Sequence, residues 1–241
     1  MFERWSQYSY TEQKKKRNRL LKYILVFFIL YIIYNCFSAF FFSVWVINNN
    51  TMQPGLNYGD RVIFSTFMHS SGSRNKGEIV TYPFKRGNIV LVDMGYYKEK
   101  KLPLRIIDGV VRFFTAQRLS IFSQEKQYYL KRVIALPGDE VSMNNYILRV
   151  KAAGSSYSLT EFELSDRPYH PAIPQVSELW DSSIPFSGSM DPIILGPDEC
   201  FVVSDDRSNT NDSRTWGSIS PSLITARAVL RFWPFTKIEL L

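Results

Sequence analysis

The longest apolar run in the chain extends from Ile24 to Ile47, reading ILVFFILYIIYNCFSAFFFSVWVI without one formally charged residue. About 20 such residues, rising about 1.5 Å each in a helix, cover a hydrocarbon core of about 30 Å. The run therefore predicts a single N-terminal transmembrane helix over residues 24–45. A cleaved secretory signal would have an apolar region of only about 7–15 residues, ending in small residues. Here Phe40, Phe41 and Phe42 stand in that place, so the segment reads as an uncleaved signal anchor. Residues Phe41 to Ile47 are expected to pass from helix into a strand leading out of the membrane. Farther on the apolar pattern shortens. Runs rich in β-branched and aromatic residues at Arg61–Phe64, Ile89–Val92, Tyr128–Ile134, Cys200–Val203 and Ala226–Phe232 read as strands between turn signals such as Gly196-Pro197 and Trp233-Pro234. The region is expected to be mainly β. One segment departs from this pattern: Ile106, Ile107, Val110, Val111, Phe113 and Phe114 recur at helical spacing among Lys98, Lys100, Lys101, Arg105, Arg112 and Arg118. It fits either an amphipathic helix on a membrane surface or a helix or hairpin packed on the sheet.

Charge sharpens this division. Residues 1–23 carry seven Lys or Arg against two Glu, leaving +5 of the chain's net +7 in that short segment. A basic flank beside an apolar span predicts a cytoplasmic N-terminus, with the rest of the chain on the exocytoplasmic side of the inner membrane. The near-balanced remainder argues against nucleic-acid binding, which needs a basic face spread over the fold. Three regions are expected: a basic cytoplasmic segment 1–23, an anchor 24–45, and an exocytoplasmic β-rich region 46–241 with insertions near 66–85, 95–127 and 144–195. Cys36 lies in the apolar run and Cys200 in a strand, while His69 and His170 are far from any cysteine pair. The spacing predicts neither a disulfide framework nor a zinc site, and no cofactor is expected.

The residue with the most chemical potential is Lys131. In a strand it shares a face with Tyr129, Val133 and Ala135, while Arg132 points the other way with Leu130 and Ile134. An amine with an ordinary pKa near 10.4 is protonated at neutral pH and takes no proton from a hydroxyl. Burial among apolar neighbours lowers that value by up to about 3–5 units. The strand alone leaves two readings open, a solvated edge lysine and a desolvated base.

Four segments resemble bacterial type I signal peptidase, in that family's order. Thr51-Met52-Gln53-Pro54-Gly55-Leu56 followed by Gly59-Asp60 resembles the box Ser-Met-x-Pro-Thr-Leu, then Gly-Asp, that carries the nucleophile. Arg86-Gly87-Asn88-Ile89-Val90 is similar to a strand of the family. Tyr129-Leu130-Lys131-Arg132-Val133-Ile134-Ala135-Leu136-Pro137-Gly138-Asp139 resembles the box of the general-base lysine. Ser204-Asp205-Asp206-Arg207-Ser208-Asn209-Thr210-Asn211-Asp212-Ser213-Arg214, then Trp216-Gly217, resembles Gly-Asp-Asn-Arg-x-Asn-Ser-x-Asp-Ser-Arg-x-x-Gly. The resemblance implies an antiparallel β catalytic region and a membrane-bound endopeptidase that releases signal peptides from exported preproteins. It implies Thr51 as nucleophile, Lys131 as base and Thr210 as the hydroxyl that orients the lysine. Asp212 and Arg214 would be a scaffold ion pair, Asp205 a further support, and Met52 and Pro54 would lie beside the substrate. Asn49 stands where the family commonly has an oxyanion-binding serine; it fits either an amide donor or a turn residue. A hydroxyl/lysine dyad needs no histidine. Threonine at 51 keeps the hydroxyl but adds a methyl that restricts χ1. The alternatives are a catalytically impaired, membrane-anchored preprotein-binding protein and a structural partner of an export complex.

Overall fold

The computed structural model describes residues 2–66, 82–95, 111, 128–175 and 188–241, with the side chains of 2–9, 11 and 35–42 outside the description. The segment expected to be amphipathic, 106–114, lies outside the described residues apart from Val111. The chain divides into two compact units, one of residues 1–41 and 100–122, the other of 42–99 and 123–241. The first carries helix α1, Phe2–Phe41. From Leu20 to Leu30 and on to Tyr34 its large apolar side chains are mostly exposed, Phe27 by 69% and Ile33 by 58%, with no polar face over residues 24–34. Among the described residues no helix is long and apolar enough to cross a membrane. The second half of the expected span falls on residues whose side chains are not described. The helix stops at Phe41, four residues short of the expected boundary at 45, and Phe42–Val46 is strand β1, in line with the strand expected over Phe41 to Ile47. Phe42, Val44, Trp45 and Val46 are residues that favour strand pairing, and β1 pairs antiparallel with β2, Arg61–Ser65.

Among the described residues the second unit holds two antiparallel sheets. Its further strands are β3 (Ile89–Asp93), β4 (Tyr128–Ala135), β5 (Glu140–Asn144), β6 (Ile147–Lys151), β7 (Leu159–Thr160), β8 (Met190–Ile194), β9 (Phe201–Val203), β10 (Ile224–Trp233) and β11 (Glu239–Leu240). The larger sheet runs β1-β2-β10-β3-β4-β9, with β11 paired to β10; the smaller runs β7-β6-β5-β8. A four-residue helix α2, Ser213–Trp216, follows β9. The fold is mainly antiparallel β, as the short β-branched runs predict.

β4 is the element around which the rest is arranged. It pairs with β3, Val90 opposite Lys131, and with β9, Arg132 opposite Val203. Its alternation sends Leu130 into a cluster with Met52, Leu56, Ile89 and Leu91. Val133 enters a second cluster with Val90, Val92, Val202 and, at its margin, Tyr129 and Trp216. A third cluster joins the sheets, with Ile134 and Phe201 packed against Val141, Leu148 and Val150. Each buried aliphatic side chain of this kind contributes about 1.5–3 kcal/mol of transfer free energy.

Candidate active site

Three segments of the second unit converge. The turn after β1 carries Asn49, Thr51 and Met52; β4 carries Lys131 and Arg132; the segment after β9 carries residues 204–214. Met52 is fully buried and Thr51 half-buried, so the methionine anchors the turn in the core while its neighbour reaches the surface. The turn is closed by Leu56 N–H on Met52 O at 2.8 Å and held by Arg231, whose Nη1 donates to Gly55 O at 2.6 Å. Asp206 N–H donates to Thr51 O at 3.1 Å, tying the turn to the segment after β9.

Lys131 is 1% exposed, among the largest side chains to be so enclosed. Its Nζ donates to Ser204 Oγ at 2.8 Å and lies 5.5 Å from the centre of the Trp216 ring. Burial lowers its pKa from 10.5 to about 8; Asp212 pulls the value upward and Arg214 downward, both by less than the burial does. The lysine is therefore the desolvated kind, not the solvated edge kind. Ser204 is fully buried and its N–H is held by Asp212 Oδ2 at 2.8 Å.

Asp212 and Arg214 form a buried ion pair at 2.8 Å. Burial alone would raise the Asp212 carboxyl, but Arg214 and the N–H groups of Ser204 and Arg214 outweigh it and hold the pKa below its usual value. Arg214 Nη1 also donates to Arg207 O at 2.9 Å and its Nη2 to Asn209 O, so the pair braces the loop between. Asp205 receives two hydrogen bonds from Arg132, Nε to Oδ1 at 2.7 Å and Nη2 to Oδ2. Arg132 also donates to Gly87 O at 2.6 Å and stacks 3.8 Å from the Tyr169 ring centre.

The expected residues are thus gathered in one region, but their contacts differ from the expectation in two respects. Thr210 is half-exposed, its carbonyl accepts from Thr215 Oγ1, and among the described residues its side chain makes no hydrogen bond to Lys131. The hydroxyl that meets the lysine is Ser204's, because the β4–β9 pairing sets residue 204 beside Nζ and leaves residue 210 on the outer side of the loop. The one sequence signal for Ser204 is that it fills the glycine position of its box. The second difference is at Thr51, whose Oγ1 donates to Asn49 Oδ1 at 2.8 Å, with its N–H reaching the same oxygen at 3.4 Å. Asn49 therefore contributes an acceptor to Thr51. Its Nδ2 has no hydrogen bond among the described residues. Pro54 is exposed and faces, with Gly55, a cleft of about 550 Å³ on the Arg132 side, shared with Arg132, Tyr169, Asp205 and Arg227. A second cleft of about 510 Å³ is bounded by Ser43 and Trp45 of β1, Tyr128 of β4, Leu91, Asp93 and Thr225. Among the described residues no three His, Cys, Asp or Glu side chains converge as metal ligands.

Comparison with known proteins identifies the frame on which these residues sit. The family model described as signal peptidase, peptidase S26, matches residues 20–233. The chain belongs to that family. Among individual relatives it is 24% identical over 231 residues to signal peptidase I P of Bacillus subtilis subsp. natto, covering 95% of this chain and 98% of the relative. It is 26% identical over 219 residues to a Staphylococcus aureus (strain COL) protein named inactive signal peptidase IA, covering 91% and 95%. It is 22% identical over 225 residues to signal peptidase IB of Staphylococcus aureus (strain Mu50 / ATCC 700699), covering 92% and 94%. Peptidase S26 is a family of serine-type proteases acting on signal peptides, so this family member carries the frame of such an enzyme, and its relatives include both peptidases and a protein named inactive.

Proposed function

We propose that this chain is a membrane-anchored endopeptidase that cleaves signal peptides from exported preproteins with a Thr51/Lys131 dyad. The observation that carries the reading is the enclosed Lys131 amine, lowered to about 8 and held by residue 204, two positions from the Asp206 N–H that binds Thr51 O. A lysine that titrates near neutrality spends a useful fraction of its time as a free base.

In this mechanism neutral Lys131 takes the Thr51 hydroxyl proton as Oγ1 attacks the scissile carbonyl. The Asn49 Nδ2 group and the Thr51 N–H donate to the oxyanion that forms. Lys131 then returns the proton to the leaving amine, the C–N bond breaks, and a threonyl ester remains. Water, deprotonated by the same lysine, hydrolyses the ester and restores both groups. The peptide preceding the scissile bond lies in the cleft walled by the paired rings of Trp45 and Tyr128, on the strands that precede Thr51 and carry Lys131. Met52 stays buried beneath it as the anchor of the turn. The bilayer is the second partner: α1 presents apolar side chains on every side over residues 24–34, the pattern of a helix meant for lipid. Its basic flank at residues 1–23 supports a cytoplasmic N-terminus with the β-rich unit on the exocytoplasmic side.

One observation favours a second reading, a catalytically impaired preprotein-binding protein: the Thr51 hydroxyl donates its hydrogen bond to Asn49 Oδ1 rather than to Lys131. Incubating the purified full chain with a preprotein decides between them. The dyad predicts cleavage by wild type and Thr51→Ser, and loss of at least about 10³-fold in Thr51→Ala and Lys131→Ala. Wild type that binds preprotein without cutting it, joined by an inert Thr51→Ser, supports the second reading instead.

A further inference from the structure

A lysine that acts as a base must be aimed as well as neutral. A neutral amine has two N–H bonds and one electron pair, so the direction of that pair is set by rotation about the Cε–Nζ bond. A fixed acceptor for one N–H removes the freedom. Lys131 has one such acceptor among the described residues, Ser204 Oγ at 2.8 Å. Ser204 is itself immobilised, fully buried at the end of β9 with its N–H on Asp212 Oδ2 at 2.8 Å.

The next two residues add to the grip. Asp205 accepts two of the hydrogen bonds of Arg132, Lys131's neighbour on the opposite face of β4. Asp206 N–H then binds Thr51 O at 3.1 Å. Three consecutive residues thus fasten Lys131, Arg132 and Thr51, and the separation of hydroxyl and amine is fixed through one short stretch of backbone. Thr210 offers nothing comparable, being half-exposed with its carbonyl bonded to Thr215.

We propose that Ser204 is the positioning residue of Lys131, its hydroxyl accepting one Nζ–H so that the amine's electron pair faces the Thr51 hydroxyl. The inference rests on the Thr51/Lys131 reading and assigns the orienting role to a residue outside that pair. A displacement of about 1 Å costs about 10²-fold in rate, which sets the size of the effect.

The test uses the full-length protein in detergent, with preprotein cleavage measured across pH and the Lys131 ε-carbon followed by 13C NMR, its signal assigned by its absence in Lys131→Ala. Ser204→Ala is expected to lower kcat about 10- to 100-fold while KM stays within about two-fold. The midpoint of Lys131 titration and the acidic limb of the rate profile should both move to lower pH, because the acceptor lost favoured the ammonium form. Ser204→Thr, which restores a hydroxyl, should recover part of the rate and of the titration midpoint. A folded Ser204→Ala with kcat within two-fold of wild type and an unmoved Lys131 titration overturns the proposal. So does Thr210→Val if it produces the larger loss and the larger shift. Should Ser204→Ala not fold, Ser204→Gly removes the same hydroxyl and is read by the same two measurements. Cleavage persisting in Thr51→Ala or Lys131→Ala is a different outcome and sinks the dyad itself; a failure of Ser204 is read only when both of those variants are inactive.

Discussion

Enclosing an ammonium ion in a protein is costly, and Lys131 meets that cost by releasing its proton near pH 8 instead of 10.5. Two consequences follow in opposite experimental directions. In the proposed dyad only the neutral amine serves as base, so kcat/KM should rise about tenfold per pH unit below pH 8 and level off above it. A rate profile flat between pH 6 and pH 8 would remove Lys131 from the role of base. For stability, the folded state holds fewer protons than the unfolded chain between about pH 8 and pH 10.5, so stability attributable to this group rises with pH across that window. Below pH 8 its penalty is fully present, on the order of 3 kcal/mol. Replacing Lys131 by Met, of similar length and no charge, should therefore raise the melting temperature at pH 7. That gain should shrink as the pH is taken through 8 toward 10.5. Thermal melts of wild type and Lys131→Met at pH 7 and pH 10 check it; an equal difference at both values would mean the amine is not the source.

The loop between β9 and α2 shows the same economy at the level of an element. Asp212 holds Arg214 through Nε at 2.9 Å and Nη2 at 2.8 Å, and also caps α2 and grips Ser204. Asp212→Asn would leave a buried guanidinium without its counter-charge, which costs about 3–5 kcal/mol, and a denaturant midpoint should fall accordingly. Gly87 is a second point of sensitivity. Its φ is +86°, a Cβ there would come within 2.1 Å of Ser165 Oγ, and its carbonyl receives Arg132. Gly87→Ala should destabilise the protein by at least about 2 kcal/mol, seen in the same unfolding curves. These elements also divide what a sequence discloses from what it hides. The alternation along β4 separates Lys131 from Arg132, and Val133 and Tyr129 do lie in the cluster that abuts Trp216 beside Nζ. Neighbouring residues of one strand dictate that much by geometry alone. The Lys131–Ser204 contact spans 73 positions and depends on which strand lies beside β4, a tertiary outcome with no local signature. The region 144–195 is opaque for a related reason. The hairpin between β5 and β6 turns on Asn145 and Tyr146, both at positive φ. Asparagine suits that geometry and tyrosine does not; Tyr146 N–H is bonded to Gly188 O across the small sheet's long connection.

At the scale of the whole molecule, the proposed anchoring sets how much of helix α1 lipid would have to hold. Helix α1 runs for 40 residues, about 60 Å at 1.5 Å per residue, which is twice a hydrocarbon core. Only part of it can lie in lipid. The charged residues of the first 23 positions fix which part, since each Lys or Arg at the centre of a bilayer costs at least about 2.5 kcal/mol. In the proposed anchoring, the apolar stretch from Ile24 to Phe41 is the part that would span, with the basic stretch continuing as helix into the cytoplasm. The same proposal would end the span at the switch to strand at Phe42, because β1 pairs with β2 and an open sheet edge is not tolerated in hydrocarbon. This arrangement predicts that the full chain resists alkaline extraction from membranes. It also predicts that, in intact cells, a membrane-impermeant thiol reagent labels a cysteine placed at exposed Ser208 but not one placed at Ser6. Replacing Lys14, Lys15, Lys16 and Arg17 together by glutamine should raise labelling at position 6, since those four supply most of the positive bias. Equal labelling at positions 6 and 208 in the unaltered background would refute the orientation, and release of the chain by alkali would refute the span.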